Sequence, residues 1–325
     1  MSEPVLGIRN LSVRYETKER TIYALEDVSL NIGRGEIVAL VGESGSGKTT
    51  AGMSIPRLLP QEAVISSGEV HFQDRDLLQL SDRELRSIRG NDIAVIFQDP
   101  VAGLNPVITV EDQVAEMLTS HLSIKKKDAK KRTVDLLAAV GLSDPGHIAK
   151  SYPFQLSGGM CQRVMVAIAT ALDPHLLIAD EPTSALDVTI QAQLLAQLEE
   201  LRRERGTAIL LITHDFGVVA QMADRVAVMY GGRIVEHDIP DNLMRSPLHP
   251  YTAALLASLP RLDGQHGGLS SIPGTPPELE EPAEHCPFLP RCPKAMSVCR
   301  EEPPPPLERR EDGREVACYN PVWQG

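Results

Sequence analysis

The run Gly42-Glu43-Ser44-Gly45-Ser46-Gly47-Lys48-Thr49 fits G-x-x-x-x-G-K-[ST]. Glycines at 42, 45 and 47 allow a tight curl that turns backbone N–H groups inward, towards a polyanion. The apolar run Ile37–Val41 reads as a buried strand, and a helix is expected to begin near Gly47, with its positive end on the same anion. Lys48 would reach β- and γ-phosphates, the Thr49 hydroxyl would ligate Mg²⁺, and Ser44 and Thr50 are expected to add nucleotide contacts. The chemistry implied is binding of a nucleoside triphosphate.

Other groups suit the same ligand. Leu176–Glu181 reads as a buried strand ending in two acids, Asp180 and Glu181. Asp180 suits the Mg²⁺ shell through water, and Glu181 can orient or deprotonate an attacking water. Such adjacent carboxylates are costly unless a cation or hydrogen bonds balance them. His214 follows the strand Ala208–Ile212, and Gln98 follows the strand Ile93–Phe97, at the strand ends where open α/β sheets bind ligands. A γ-phosphate contact is favoured for His214. For Gln98, contact with Mg²⁺ or the attacking water stands level with an ordinary loop glutamine. Tyr15 either stacks on a purine base or is a plain strand aromatic. Ser157 can cap a helix that opens with Gly158 and Gly159. This second cradle lacks a lysine, so it is either a capped helix without ligand or a partial site for a nucleotide held by another subunit. Ser184–Asp187 reads as a turn between the acids and the next helix.

These residues need a strand-rich scaffold. Residues 5–41 read as β-rich, and residues 110–150 carry helical spacing, for example Val110, Val114, Met117 and Leu118. The net charge of −12 argues against a nucleic-acid partner. Lys125, Lys126, Lys127, Lys130, Lys131 and Arg132 are interrupted by Asp128 and Asp135, which suits a solvated helix face. No run approaches the ~18 apolar residues of a membrane span, and the start Met1-Ser2-Glu3-Pro4 is not that of a signal peptide. A cytoplasmic protein is expected.

Eleven of the 25 prolines lie between 273 and 306, so the tail cannot be a regular helix or central strand and should wrap loosely. It also holds Cys286, Cys292, Cys299 and Cys318, spaced C-x5-C-x6-C-x18-C. Disulfides, four-thiolate zinc and an iron–sulfur cluster are all open on spacing alone.

The set Tyr15, Gly42–Thr49, Gln98, Leu156–Gln162, Asp180-Glu181, Ser184–Asp187 and His214 resembles the ATP-binding-cassette (ABC) ATPases in order and spacing. The resemblance implies an α/β fold: a P-loop ABC nucleotide-binding domain with a RecA-like core, an antiparallel β-subdomain and a helical subdomain at about 100–170, spanning 1–260. The Pro/Cys-rich extension would be 261–325. It also implies a sandwich in which Gly42–Thr49 of one subunit and Ser157–Gly159 of another enclose ATP. Tyr15 would stack on adenine, Thr49, Gln98 and Asp180 would serve Mg²⁺, Glu181 would be the catalytic base, His214 a switch residue, and Asp187 part of the D-loop. Met160 departs from the usual glutamine of the signature. Further motifs, His249-Pro250-Tyr251-Thr252, Ile272-Pro273-Gly274 and Cys286-Pro287-Phe288 with Arg291-Cys292-Pro293, are similar to dipeptide, oligopeptide and nickel importer ATPases. That branch implies a related second ATPase, two membrane permease subunits, an external binding protein, a peripheral place on the cytoplasmic face of the membrane, and a [4Fe–4S] cluster on the four cysteines, with zinc as the alternative. Peptides are the expected cargo, with nickel or oligosaccharide open. A soluble switch on ribosomes or DNA is the competing class.

Overall fold

The structure is a computed structural model and describes residues 4–184, 186–259 and 272–322. The expected domain boundary at 260/261, and Ala185 in the expected turn, lie outside these residues. The chain begins with β1 (Leu6–Glu16), β2 (Thr21–Ile32), β3 (Ile37–Val41), α1 (Lys48–Ser54), β4 (Ala63–Phe72) and β5 (Arg75–Asp76). Next come α2 (Asp82–Ile88), β6 (Ile93–Ile96), α3 (Val110–His121), α4 (Lys126–Ala139), α5 (Pro145–Lys150) and α6 (Gly158–Thr170). Then follow β7 (Leu176–Asp180), α7 (Val188–Arg205), β8 (Ala208–Ile212), α8 (Phe216–Met222), β9 (Arg225–Tyr230) and β10 (Arg233–Asp238). The last are α9 (Pro240–Arg245), α10 (Pro250–Ala257), α11 (Val298–Glu301), β11 (Glu308–Arg309) and β12 (Glu315–Val316).

By contacts the chain forms two units. The first comprises residues up to Val5, Ile32–Ile37 and Gln79–Ile212; the second comprises Leu6–Asn31, Val38–Leu78 and Thr213 onward.

In the first unit β6, β7 and β8 pair in parallel. All residues of β7 and β8 are buried, as parallel strands covered on both faces require. The helical stretch between β6 and β7 begins where Thr109 caps α3, its hydroxyl accepting from the Asp112 N–H. Val110, Val114 and Leu118 of α3 and Ala129 and Leu137 of α4 are buried at helical spacing. Part of the basic cluster is paired rather than free: Lys130 meets Glu111 at 2.6 Å and Asp112 at 3.2 Å, and Lys126 meets Asp112 at 3.1 Å. Those two lysines hold the Asp112 carboxyl down at about 2. Asp187 caps α7, and Gly206 closes it in the left-handed conformation.

In the second unit β2, β1, β4 and β5 form an antiparallel sheet in that order. β3 and β9 pair in parallel, and β10 lies antiparallel to β9. The tail, expected to hold no regular helix or central strand, adds two two-residue strands after its Pro-rich stretch. β12 pairs with β10, placing Val316 opposite Glu236, and β11 pairs with β12. Two-residue strands carry no alternation, so only the pairing reveals them. The tail also contributes to the core. Phe288 is 1% exposed and packs edge-on against Tyr230 and Tyr251, with ring centroids 5.2 and 5.4 Å away. Aromatic burial of this kind compensates for a segment poor in large aliphatic residues.

Glu236 is fully buried, and its carboxylate accepts the backbone N–H groups of Leu248 (2.7 Å) and His249 (2.8 Å). Burial raises its pKa above the usual carboxylate range. These bonds set the entry to α10, where the His249 ring nitrogen Nδ1 accepts from the Tyr251 N–H at 3.0 Å. Glu236→Ala leaves two buried donors without an acceptor and should cost about 3 kcal/mol in denaturant unfolding. Glu236→Gln, which keeps an acceptor oxygen, should cost less.

Candidate functional site

The second unit holds the phosphate loop. α1 starts at Lys48 with Gly47 as its cap at φ 102°, as the spacing predicts. A side chain at Gly47 would place its Cβ 2.6 Å from the Ala24 carbonyl oxygen, so both the φ and the space demand glycine. Lys48 is buried, and its ammonium donates to the carbonyls of Gly42 (2.9 Å) and Glu43 (2.8 Å) and lies 3.4 Å from the Ser46 hydroxyl. The lysine thus tethers the loop, and phosphate oxygens are acceptors of the kind it holds there. Ser44, Gly45 and Thr49 are exposed on the same loop, while Thr50 is buried. Tyr15 is half-buried on β1, with its hydroxyl 3.0 Å from that of Thr50. His214 is exposed just before α8, which Asp215 caps.

Sequence reasoning missed what surrounds Glu43. Its N–H donates to the Tyr251 hydroxyl at 2.8 Å, and its carboxylate accepts from Arg291 at 2.8 and 3.1 Å. Tyr251 and Arg291 stood in the motifs of the tail and of the segment before it, but spacing could not say which residue they meet.

The first unit holds the acids. Asp180 ends β7 and is 1% exposed. Glu181 follows at φ 45°, a left-handed conformation that costs a non-glycine residue about 1 kcal/mol or more and is typical of functional sites. Its N–H donates to the Ile212 carbonyl at 2.8 Å. The amide of Gln98 donates to the Glu181 carboxylate at 3.2 Å, so two strand-end residues 83 positions apart meet. Ser157 caps α6, its hydroxyl accepting from the Met160 N–H at 3.3 Å. Gly158 is exposed, with nothing within 4 Å of where a Cβ would sit, so the helix start is open to a ligand. Within the same helix Gln162 donates to the Pro182 carbonyl at 2.9 Å, tying α6 to the residue after Glu181. Asp187 is exposed at the start of α7, followed by Val188 at 84% exposure.

The four tail cysteines are free thiols that line one cavity, together with Phe288, Leu289, Pro250 and Pro305. Disulfides are therefore not what holds the tail. Burial pushes the Cys286 and Cys292 thiols up, and Cys318 up to about 12. Among the described residues no group of three or more His, Cys, Asp or Glu is arranged to hold a metal ion. Neither the predicted iron–sulfur cluster nor zinc thus has a ready-made ligand set among the described residues.

The sequence model of the ABC transporters matches residues 25–184, and that of the oligopeptide/dipeptide transporter C-terminal region matches 235–299. The dipeptide transport ATP-binding protein DppD of Bacillus subtilis is 48% identical over 98% of this chain and 95% of its own length. The chain belongs to the ABC transporter family. The oligopeptide transport ATP-binding protein OppD of Salmonella typhimurium is similar as well, at 43% identity over 98% of this chain and 94% of that protein. Among solved structures, the ATP-binding cassette MJ0796, a dimer in a post-hydrolysis state bound to ADP and Pi, superposes with a TM-score of 0.66. It has 32% identity and covers 72% of this chain and 98% of its own. The expected ABC ATPase fold is thereby confirmed, and as a member of this family the chain is an ATP-binding subunit whose hydrolysis of ATP powers transport. No helix among the described residues is long and apolar enough to cross a membrane.

Gly47→Ala should distort the loop that Lys48 tethers. ATP titration of the purified full-length chain should show affinity falling by about tenfold or more, given both steric conflict and positive φ.

Proposed function

We propose that this chain is the ATPase of a peptide importer and that each ATP is shared between two subunits. Gly42, Ser44, Gly45, Gly47, Lys48, Thr49 and Thr50 hold the phosphates, with Tyr15 against the adenine. Ser157, Gly158, Gly159 and Asp187 serve the nucleotide on a second, related subunit. The observation that carries this reading is the inequality of the two cradles. One has a tethered lysine, whereas the other is an open, Ser157-capped helix start with none. A capped helix start offers N–H groups and a positive dipole end to an anion, and a neighbouring subunit's lysine would bring the charge it lacks.

Glu181 accepts the proton of the attacking water while the Gln98 amide fixes the carboxylate. Lys48 and His214 take up negative charge on the transferring phosphoryl group. Thr49, Gln98 and Asp180 are the residues that would hold Mg²⁺, which when bound supplies further neutralisation of the phosphates. Closure on two ATP and release after hydrolysis would move the two membrane subunits between their access states. Peptide cargo is supported by the near full-length similarity to dipeptide and oligopeptide transport ATP-binding proteins. An external binding protein would deliver it, the ATPase standing peripherally on the cytoplasmic face. We further assign residues 1–260 to the nucleotide-binding domain and 261–325 to the extension. Within it Cys286, Cys292, Cys299 and Cys318 would hold a [4Fe–4S] cluster, supported by their sharing one cavity as free thiols. Such a cluster binds four thiolates and would staple a Pro-rich segment.

In the complex purified with its partners, Glu181→Gln should lower steady-state ATP turnover by ~10²–10⁴-fold while ATP still binds; unchanged turnover removes Glu181 from the mechanism. Anaerobic purification should bring down two membrane subunits and a second cassette ATPase, with about four irons per copy of this chain. Iron-free protein without broad visible absorbance refutes the cluster, and recovery with ribosomes or DNA instead of membrane subunits refutes the importer.

A further inference from the structure

Glu43 poses a problem for an anion site. It is the second residue of the phosphate loop, and a bare carboxylate there would oppose a triphosphate. The structure places Arg291 of the tail against it in a bidentate pair, with N···O distances of 2.8 and 3.1 Å. The side chains are 5% exposed for Arg291 and 22% for Glu43, so the pair is screened little by solvent. The rest of the guanidinium is also engaged. Its Nε donates to the Pro273 carbonyl at 2.8 Å, its Nη1 donates to the Tyr230 hydroxyl at 3.1 Å, and its carbon lies 5.8 Å from the centre of the Tyr230 ring. Arg291 has no slack because it sits in a tight turn: the Leu289 N–H bonds the Cys286 carbonyl and the Arg291 N–H bonds the Phe288 carbonyl. Cys286 and Cys292 bracket that turn, and Phe288 is locked between Tyr230 and Tyr251. On the loop side, the carbonyl of the same Glu43 is one of the acceptors of Lys48.

We propose that Arg291 is a positioning residue of the nucleotide site, through which the cysteine-bearing tail sets ATP affinity by neutralising Glu43 and fixing it beside Lys48. The pair ties the far end of the chain to the phosphate loop, 248 positions away in sequence. Loss of Arg291 alone leaves a partly buried carboxylate unpaired on the phosphate loop, which is the costly case for a broken ion pair. Loss of both partners leaves a loop without that carboxylate, its residue-43 N–H still held by Tyr251. The inference rests on the reading that Gly42–Thr49 holds the phosphates.

The test is ATP affinity of the purified full-length chain by calorimetry for wild type, Arg291→Met, Glu43→Gln and the double variant, with KM and kcat for ATP in the assembled transporter. Arg291→Met should weaken ATP binding on the order of fivefold or more, raise KM more than it lowers kcat, and weaken further at low salt relative to wild type. The double variant should recover most of the loss. Equal affinity of Arg291→Met and wild type overturns the proposal, as does a double variant no better than Arg291→Met, which would mean a purely structural role. Should Arg291→Met fail to fold, Glu43→Gln decides: binding at least as tight as wild type supports the charge account, and weaker binding overturns it. Wild-type protein that binds no ATP would instead defeat the assignment of the phosphate loop.

Discussion

A phosphate loop is a stretch of backbone held in conformations that most residues avoid, and the second unit is built to hold it. Gly45 and Gly47 stand at positive φ, and the Gly47 position is walled by Ala24 and Met229. Few of its own backbone bonds can hold it, because its N–H groups must stay available to the ligand. Side chains supply the restraint: the Lys48 ammonium draws two carbonyls inward, the Tyr251 hydroxyl accepts the Glu43 N–H, and Arg291 pairs with the Glu43 carboxylate.

That dependence gives the C-terminal segments a purpose beyond covering surface. Tyr251 reaches the loop because α10 begins where Glu236 accepts two backbone N–H groups in the core. Arg291 reaches it because Phe288 is packed between Tyr230 and Tyr251. Both arrangements bury polar groups, and buried polar groups are favourable only when their partners are in place. The region around the loop is therefore specified by a few hydrogen bonds of high cost if broken. The four free thiols line a cavity with Phe288 and so belong to the same region.

The first unit solves a different problem. It must present carboxylates at the end of a strand buried on all sides. Asp180 remains within the buried strand, while Glu181 turns out through a left-handed backbone conformation and meets Gln98. The α6 start stays open at Gly158, and Gln162 ties that helix to the turn after the acids. Strand end and helix start are thus mechanically joined.

Much of this was legible in the sequence, because local chemistry dictates it. Glycine spacing, the lysine and the preceding apolar strand define the phosphate loop; Ser157 announces the cap of α6; apolar runs of four and five residues mark β7 and β8. Helical spacing likewise marks α3 and α4. What the sequence could not supply were pairings between residues far apart in the chain. The two short tail strands were hidden because a two-residue strand has no periodicity and exists only through its partner, β10 for β12 and β12 for β11. The thiol spacing left disulfide and metal open, and only the tertiary structure gathered the four free thiols around one cavity. The meeting of Arg291 with Glu43 was equally invisible, because an ion pair is fixed by where two folded segments lie in space and leaves no trace in either local sequence.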